Sequence, residues 1–494
     1  MQTSFGFTQR TSAHSLAKGR EIVIDLFCGG GGASTGIESA TGYAVDEAIN
    51  HSPEAIFYHS QNHPCTNHFR TDVFDVHPLA VSKGRPVGLL WLSPDCTHFS
   101  KSRGGAPKKK SIRSLATVGL WYARTVKPRV ITLENVSEFK TWCRLDKRTQ
   151  QPDMRKKGEY FHKFVRRLKQ MGYAVEWREL TASDYGAPTS RTRLILIARC
   201  DGEKIVWPEK THGSKPHQKP VRTASECIDF SLPTVSIFAE QSEIKEAGLR
   251  AKRPLADNTM ERIGRGVWKF VIDNPNPFVI GIDNQSSSSA EWSIDEPVRT
   301  VTQKNRFALV MPFLAKHYTG VTGHGVERPI GTITGVDHHS LVSCHCEPAN
   351  VDMVTSHLMS YHTQQGDESR CNSINAPLPT VDGSNRFAEV RTFLMKYYGN
   401  STGQKIDEPL DTITGNDRFA LVTVHGKPYR IVDIGLRMLT PDELLKAQFG
   451  DHAKTYKIDG MTKATAVHMI GNSVCPDLAE AVVGANYKPE KVEA

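Results

Sequence analysis

From Ile22 to about Arg199 the chain alternates short apolar runs with helix-like segments, and this alternation restricts the fold more than any other feature. The runs are Ile22–Phe27, Tyr43–Ile49, Val87–Leu92, Val130–Leu133, Ala174–Trp177 and Leu194–Ala198. Continuous apolar strands are buried on both faces, and helix-length spacers between them act as crossovers. The pattern therefore predicts an α/β domain with a largely parallel sheet. Between the fourth and fifth runs, Phe161, Phe164, Val165 and Leu168 fall at helical spacing, with Lys163, Arg166, Arg167 and Lys169 largely around the other faces. This reads as a covering helix with a solvated basic face.

Beyond Asp201 the texture changes to Pro, Gly, Ser and Thr with short β-like pieces, and an internal repeat governs the region. Asp295-Glu296-Pro297 reappears as Asp407-Glu408-Pro409, with looser copies at Pro329 and Pro377, so the prolines lie 32, 48 and 32 residues apart. Phe313-Leu314-Ala315-Lys316 and Phe393-Leu394-Met395-Lys396 share an offset of 80 residues, as do Asn305-Arg306-Phe307-Ala308 and Asn385-Arg386-Phe387-Ala388. Such regularity indicates duplicated strand-turn units. The Asn-Arg pairs serve equally well as groove-reading side chains or as structural turns. Helical character returns at Thr440-Pro441-Asp442-Glu443, a capping box with Pro at the first helical position, and again near Pro476. At 494 residues the chain is long for one core. The expected organisation is an α/β domain over 20–205, a β-rich duplicated domain over 206–430 and a segment over 431–494 that completes the first domain.

The 62 Lys and Arg residues exceed the 53 acidic ones, a formal charge of +9 that favours an anionic partner. Ten cysteines show no regular framework, which points to free thiols in a reducing compartment. The polar stretch Met1–Arg20 lacks the apolar core of a signal peptide, and no run approaches the length of a membrane span. A cytoplasmic protein that does not engage a membrane is expected.

Ligands of open α/β sheets gather beyond the carboxyl ends of the strands. There this sequence places Phe27-Cys28-Gly29-Gly30-Gly31-Gly32, Asn50, Asp72 with Val73, Cys96 in Pro94-Asp95-Cys96-Thr97, and Glu134 in Glu134-Asn135-Val136. A Gly-rich turn lets a backbone approach a ligand closely, or serves tight packing. A thiol at a strand end is a nucleophile or a small buried hydrophobe. Directly after Cys96, Lys101, Arg103, Lys108, Lys109 and Lys110 lie in an acid-free stretch with Gly104-Gly105 as a hinge. That stretch is either an ordinary solvated loop or a clamp for phosphates. Arg191-Thr192-Arg193 and Gly471-Asn472-Ser473-Val474 follow. Cys344-His345-Cys346 suggests a metal by residue type, but no second pair at zinc-finger spacing follows, and no metal site is expected.

In this order and spacing the motifs resemble the cytosine-5 methyltransferases that act on DNA, and in particular a divergent phage and prophage branch. The resemblance covers Ile22–Arg199 and Arg437–Asn486, whereas the middle matches only in placement. It implies a Rossmann-like, S-adenosylmethionine-dependent methyltransferase domain with a β-rich target-recognition domain. It further implies that Phe27, Gly29, Gly30, Gly31, Asn50, Asp72, Val73, Asn472 and Val474 bind the cofactor. Cys96 is the implied nucleophile toward C6 of a flipped cytosine, Glu134 holds the base edge, and Arg191 and Arg193 orient the base and that carboxylate. The implied partner is double-stranded DNA, gripped by the basic stretch after Cys96, with no obligate protein partner and a monomeric enzyme. Four positions depart from the family pattern. Asp95 and Thr97 flank the nucleophile where Pro and Gln are usual, Thr189 stands for Gln, and Asn50 for an acid. The rival readings are the same chemistry on tRNA and a non-catalytic DNA-binding relative.

Overall fold

The computed structural model describes residues 19–94, 115–144, 153–249, 251–256, 263 and 427–490. Between 278 and 424 it describes the strands named below with residues 323–326, 328–333 and 335. The chain divides into two compact units, residues 1–230, 326–338 and 439–494 in the first and 231–325 with 339–438 in the second. Residues 206–230 and 326–338, which the sequence reading groups with the β-rich domain, thus cluster with the first unit, and 431–438 cluster with the second.

In the first unit, seven strands form one sheet: β1 (Ile22–Leu26), β2 (Glu47–Asn50), β3 (Asn67–Arg70), β4 (Val87–Leu92), β5 (Val130–Asn135), β6 (Ala174–Thr181) and β7 (Thr192–Arg199). Their order is β3-β2-β1-β4-β5-β7-β6. Strands β3 to β5 pair in parallel, while β7 runs antiparallel to both β5 and β6. The chain steps outward from β1 to β3 and then crosses back to β4, so strand order reverses between β1 and β4, and open α/β sheets bind ligands in the crevice at the carboxyl ends beside such a reversal. Helices α1 (Gly32–Thr41), α2 (Pro53–Asn62), α3 (Pro78–Ser82), α4 (Thr117–Thr125) and α5 (Glu159–Gln170) join the strands. Helix α6 (Gln241–Glu246) lies in the second unit, and α7 (Pro441–Phe449), α8 (Lys463–Asn472) and α9 (Pro476–Asn486) return to the first.

The apolar runs form strands because both faces of the sheet are covered. Ile22, Ile24 and Leu26 of β1, Leu90 and Leu92 of β4, and Leu194, Leu196 and Ala198 of β7 enter one core with Phe161, Phe164 and Leu168 of α5. Their neighbours Val23, Leu89, Trp91, Ile195 and Ile197 enter a second core with Ile37 of α1 and Leu478 and Val482 of α9. Side chains alternate between faces along a strand, so two-sided burial makes these runs largely apolar, with Asp25 of β1 a buried polar exception. The same rule explains strand β3, absent from the sequence reading. Its Asn67-His68-Phe69-Arg70 lies at the sheet edge with no residue fully buried. Strand β6, at the other edge, continues past the apolar run to Thr181 through the exposed Glu176-Trp177-Arg178-Glu179. Helix α7 carries the capping box, in which Thr440 Oγ1 accepts from Glu443 N at 3.3 Å and Glu443 Oε2 accepts from Thr440 N at 2.7 Å.

In the second unit the duplication becomes geometry. Strands β9 (Phe278–Gly281), β10 (Glu291–Ser293) and β11 (Phe307–Lys316) form an antiparallel set in the order β10-β9-β11. Strands β14 (Thr355–Ser360), β15 (Cys371–Ser373) and β16 (Phe387–Thr392) form a second in the order β15-β14-β16. Phe307 faces Gly281 in the first set and Phe387 faces Ser360 in the second, so equivalent registers recur at offsets of 80 and 79 residues. The first set extends into a larger sheet through β13 (His339–Pro348), β18 (Lys427–Met438) and β17 (Leu421–Val424), with β12 (Gly323–Gly325) on β11 and β8 (Val235–Ser236) on β18.

Helices α1 and α9 approach so closely that Gly36 has no space for a side chain: a Cβ there would lie 2.7 Å from Ala479 Cβ and 2.9 Å from Glu480 N. Gly484 on α9 would meet only Ala40 Cβ at 4.0 Å. Gly36→Ala should therefore destabilise the protein by about 1–3 kcal/mol through overpacking, whereas Gly484→Ala should be neutral or stabilising by up to about 1 kcal/mol. Chemical denaturation of the two variants checks the contrast.

Candidate active site

The chain leaves β1 through a turn that only a strained or side-chain-free backbone can make. Phe27 sits at φ 64°, Gly29 at 54° and Gly31 at 101°. Left-handed angles are easy for glycine and costly for other residues, so Phe27 is held there by its surroundings. Cys28 N donates to Ile49 O at 3.2 Å, and Ser93 N, just past β4, donates to Leu26 O at 3.3 Å. The ends of β1, β2 and β4 are thereby tied into one rim.

The four glycines divide into two kinds. A Cβ on Gly29 would meet only Phe27 O, at 3.9 Å, so this position faces open space. A Cβ on Gly30 would lie 2.8 Å from Tyr456 Oη and 2.9 Å from Met469 Cε, and those on Gly31 and Gly32 would collide with His63 and with Ser473 and Val474. Close approach at Gly30, Gly31 and Gly32 is thus to the protein's own chain. The Tyr456 hydroxyl donates to Gly30 O. The segment carrying it is fastened to α2, because Asn62 accepts from Lys457 N at 2.7 Å and donates to Lys457 O at 3.0 Å.

At the end of β2, Asn50 Oδ1 accepts from Ser52 N at 2.9 Å, and among the described residues its amide nitrogen has no protein partner. Glu47, the nearest acid, is committed elsewhere: it accepts from Asn67 Nδ2 at 2.7 Å and from Lys83 Nζ at 3.1 Å. Burial raises its carboxyl despite these bonds. Asp72, beyond β3, is exposed and accepts from Phe74 N at 3.0 Å through one oxygen, leaving the other toward solvent. The Val73 side chain enters the hydrophobic core, so only its backbone is offered to a ligand. Val474 is likewise a core side chain, while Asn472 is exposed at the end of α8. Phe27 is half-buried at the centre of this arc. An open Gly29, two hydrogen-bonding groups without full protein pairing and an aromatic ring fit a nucleoside-bearing cofactor.

On the other side of the cleft Glu134 is buried at the end of β5, with Arg193 Nε 3.2 Å from its Oε1. The pair lies within ion-pair distance but off the hydrogen-bond direction, so among the described residues Oε1 makes no hydrogen bond. The neighbouring Asn135 donates from Nδ2 to Pro94 O at 3.0 Å, which draws the turn after β4 toward Glu134. Arg191 takes a different course. Buried, it donates to Ile333 O at 2.7 Å and to Gly471 O at 2.9 Å, stapling two backbone segments together, so Arg193 is the arginine brought to Glu134. Cys96, Lys101, Arg103, Lys108, Lys109 and Lys110 lie outside the described residues. Cys28, the other thiol in a motif turn, is buried, and burial pushes it well above the usual thiol range, with Asp25 adding to the shift. It is unsuited to act as a nucleophile.

Beneath the Gly-rich turn runs a polar chain that the motifs do not announce. Ser34 Oγ donates to Asp25 Oδ2 at 2.8 Å and lies 3.1 Å from His59 Nε2, and His59 Nδ1 lies 2.8 Å from His68 Nε2. Asp25, Ser34 and His59 are fully buried, whereas His68 is half-buried on the edge strand. Burial pushes Asp25 up to about 7, against lowering by the Ser34 bond and His63 and further raising by Glu38. Burial likewise keeps His59 well below the usual imidazole range, with His63 and His68 pushing the same way. His63 lies 3.1 Å from Gly31 O and 3.0 Å from Glu38 Oε2. The four-residue spacing of His59 and His63 is the only sequence signal for this cluster, and Tyr456 carried none. Among the described residues, no group of three or more His, Cys, Asp or Glu could hold a metal ion. Nor, among those residues, is any helix long and apolar enough to cross a membrane.

The chain is similar to several known proteins. The model of a family described as C-5 cytosine-specific DNA methylase matches residues 22–265. Type II methylase M.HgiDII of Herpetosiphon aurantiacus is 31% identical over 198 residues, which cover 38% of this chain and 50% of that protein. Type II methyltransferase M.SacI of Streptomyces achromogenes is 29% identical over 266 residues, covering 48% of this chain and 64% of that protein. The chain therefore spans between half and two thirds of the length of these relatives. The crystal structure of S. pombe Dnmt2 methyltransferase aligns over 94% of this chain and 97% of that chain, with 12% identity and a TM-score of 0.44.

A carboxyl raised by folding makes the native state bind its proton more tightly than the unfolded chain does. Asp25 therefore favours the fold when protonated, and that contribution fades as pH rises from 3.8 to about 7. Asp25→Asn keeps an oxygen for Ser34 and carries no charge. Its melting temperature minus that of the parent should rise across this interval and level off above it, by about 4 °C or more in total. Thermal melts at a series of pH values measure the difference.

Proposed function

The chain belongs, through residues 22–265, to the C-5 cytosine-specific DNA methylase family, and from that membership we propose that it transfers a methyl group from S-adenosylmethionine to carbon 5 of cytosine in double-stranded DNA. The observation that carries the proposal is the buried Glu134 carboxylate. It has Arg193 at 3.2 Å, one oxygen without a hydrogen bond among the described residues, and a neighbour, Asn135, that ties down the turn leading to Cys96.

Cytosine C5 is a poor nucleophile, and its reactivity has to be raised by addition at C6. In this reading the Cys96 thiolate forms a bond to C6, and the electron pair of the C5=C6 bond moves to C5. Glu134 hydrogen-bonds the N3 and amine edge and shares a proton there as negative charge builds on the ring. Arg193 keeps the Glu134 carboxylate pointed at that edge. Phe27, Asn50, Asp72 and the backbone at Val73, Asn472 and Val474 would hold S-adenosylmethionine, which would supply an electrophilic methyl group to C5, its sulfonium becoming the thioether of S-adenosylhomocysteine. Loss of the C5 proton and departure of Cys96 as thiolate then restore the C5=C6 double bond. Base and methyl donor meet only if the nucleotide leaves the helical stack. The basic stretch from Lys101 to Lys110 closes on phosphates, and the second unit, with its two equivalent strand sets, selects the DNA sequence. Restriction-modification fits the Type II relatives, and Arg191 acts as a positioning residue through its two backbone bonds.

Labelled-methyl transfer to duplex DNA, with tRNA as the competing substrate, tests the proposal, and transfer to tRNA alone overturns it. Cys96→Ala should abolish transfer while duplex binding is largely retained, and Cys96→Ser should form no covalent complex with duplex containing 5-fluorocytosine. Glu134→Gln should lower kcat by about 10²–10⁴-fold, the range for a lost general acid-base contribution. Tyr456→Phe, which frees the Gly30 carbonyl, should raise the KM for S-adenosylmethionine about 5–10-fold with little change in kcat.

A further inference from the structure

Helix α5 buries Phe161, Phe164, Val165 and Leu168 and turns Lys163, Arg166, Arg167 and Lys169 outward, all exposed. Lys156 and Lys157, just before it, are exposed as well. Among the described residues none of these six cations has a carboxylate within ion-pair distance. By contrast, the neighbouring Lys140 and Arg144 are paired, with Glu179 and Glu159. Glu159, the acid of this helix, is thereby already engaged. Lys163 with Arg166, Lys163 with Arg167, and Arg166 with Lys169 stand three or four positions apart, spacings at which like charges repel and weaken a helix. A face that retains such repulsion gains from a polyanion that relieves it.

The position of the helix selects which polyanion. Gly158 N donates to Thr141 O at 3.2 Å and Tyr160 N to Trp142 O at 3.1 Å, so the first turn of α5 is fastened to the segment that leaves β5 after Glu134 and Asn135. The basic face starts beside the rim where the proposed chemistry takes place and extends away from it. Twelve residues at 1.5 Å each make a ridge of about 18 Å, comparable to about five base-pair steps.

We infer that the outward face of α5, with Lys156 and Lys157, is a sequence-independent docking surface for the phosphate backbone of duplex DNA flanking the target cytosine. The inference rests on the proposed function for the identity of the polyanion. Lysine and arginine on an exposed ridge neutralise phosphates and release condensed counterions whatever the bases, so the contact adds affinity without selecting sequence. The sequence-based reading of this face as merely solvated describes the protein without its partner.

The test compares the full chain with its Lys163→Gln, Arg166→Gln, Arg167→Gln triple variant, since glutamine preserves helix propensity and these exposed side chains support no packing. Binding to mixed-sequence duplex DNA of about 40 base pairs is titrated at several salt concentrations, and the slope of log K against log salt should fall in magnitude by about 2–3, near 0.9 for each lost phosphate contact. Melting temperature should be unchanged or slightly raised, because the like-charge repulsion is removed, and kcat for methyl transfer should be retained while the KM for long duplex rises. An unchanged slope overturns the inference, as does a slope that changes for single-stranded RNA or tRNA but not for duplex DNA. Binding is read without turnover, so the two proposals fail separately. Methyl transfer to duplex DNA with an unchanged slope removes the docking surface and leaves the enzyme. A reduced slope in a protein that transfers no methyl group supports the surface and removes the enzyme.

Discussion

The structure depends on how closely backbone can approach backbone at the end of β1. Gly30, Gly31, Gly32 and Gly36 each occupy a place where a single carbon atom would collide with α2, with the segment after α7, or with the start of α9. Close packing is unforgiving at this scale because interiors have no spare volume to absorb a methyl group. The same glycines that look designed for a ligand are mostly used to bring four distant pieces of chain together. Gly29 is left as the position open toward the cleft. The cofactor site proposed here would be what internal packing leaves over, a shelf where the protein stops touching itself.

Across the cleft the chemistry is organised by strand ends. Glu134, Asn135 and Arg193 project from paired strands: β5 and β7 run antiparallel with Glu134 opposite Ile195, so the arginine two residues earlier lies at the same end. The insertion of β7 against β5 in the opposite sense brings an arginine from a later part of the chain to a carboxylate from an earlier one. Rigid strands hold such pairs more accurately than loops. The missing hydrogen bond on Glu134 Oε1 is, in a buried group, an unsatisfied demand that a ligand can meet.

Much of the first unit was legible in the sequence because two-sided burial writes itself as uninterrupted apolar residues. The runs at Ile22, Val87, Val130 and Leu194 all became strands, and the capping box at Thr440 became a helix start. Strand β3 escaped because an edge strand needs no apolar face, and its residues are Asn, His, Phe and Arg. The duplication was visible as an 80-residue echo, and it emerged as two strand sets of equal order. For the site, the motif residues were visible but not their division of labour. Nothing in Arg191-Thr192-Arg193 says which arginine faces the carboxylate, since that is decided by the twist and pairing of β7. Tyr456 and His63 were illegible because their partners, Gly30 and Gly31, lie far off in sequence and are contacted through carbonyl oxygens, which every residue possesses.

Helix α9 is the last described helix of the chain, yet it supplies one wall of the core that β1 and α1 need. During synthesis the early strands therefore emerge from the ribosome with one side of their sheet bare, and stay so while more than two hundred further residues are made. The second unit, encoded in between, is complete before its host is. A ribosome that stops short of Pro476 releases a polypeptide with apolar Val23, Leu89 and Ile195 uncovered, a species bound for chaperones or proteolysis and not for partial activity.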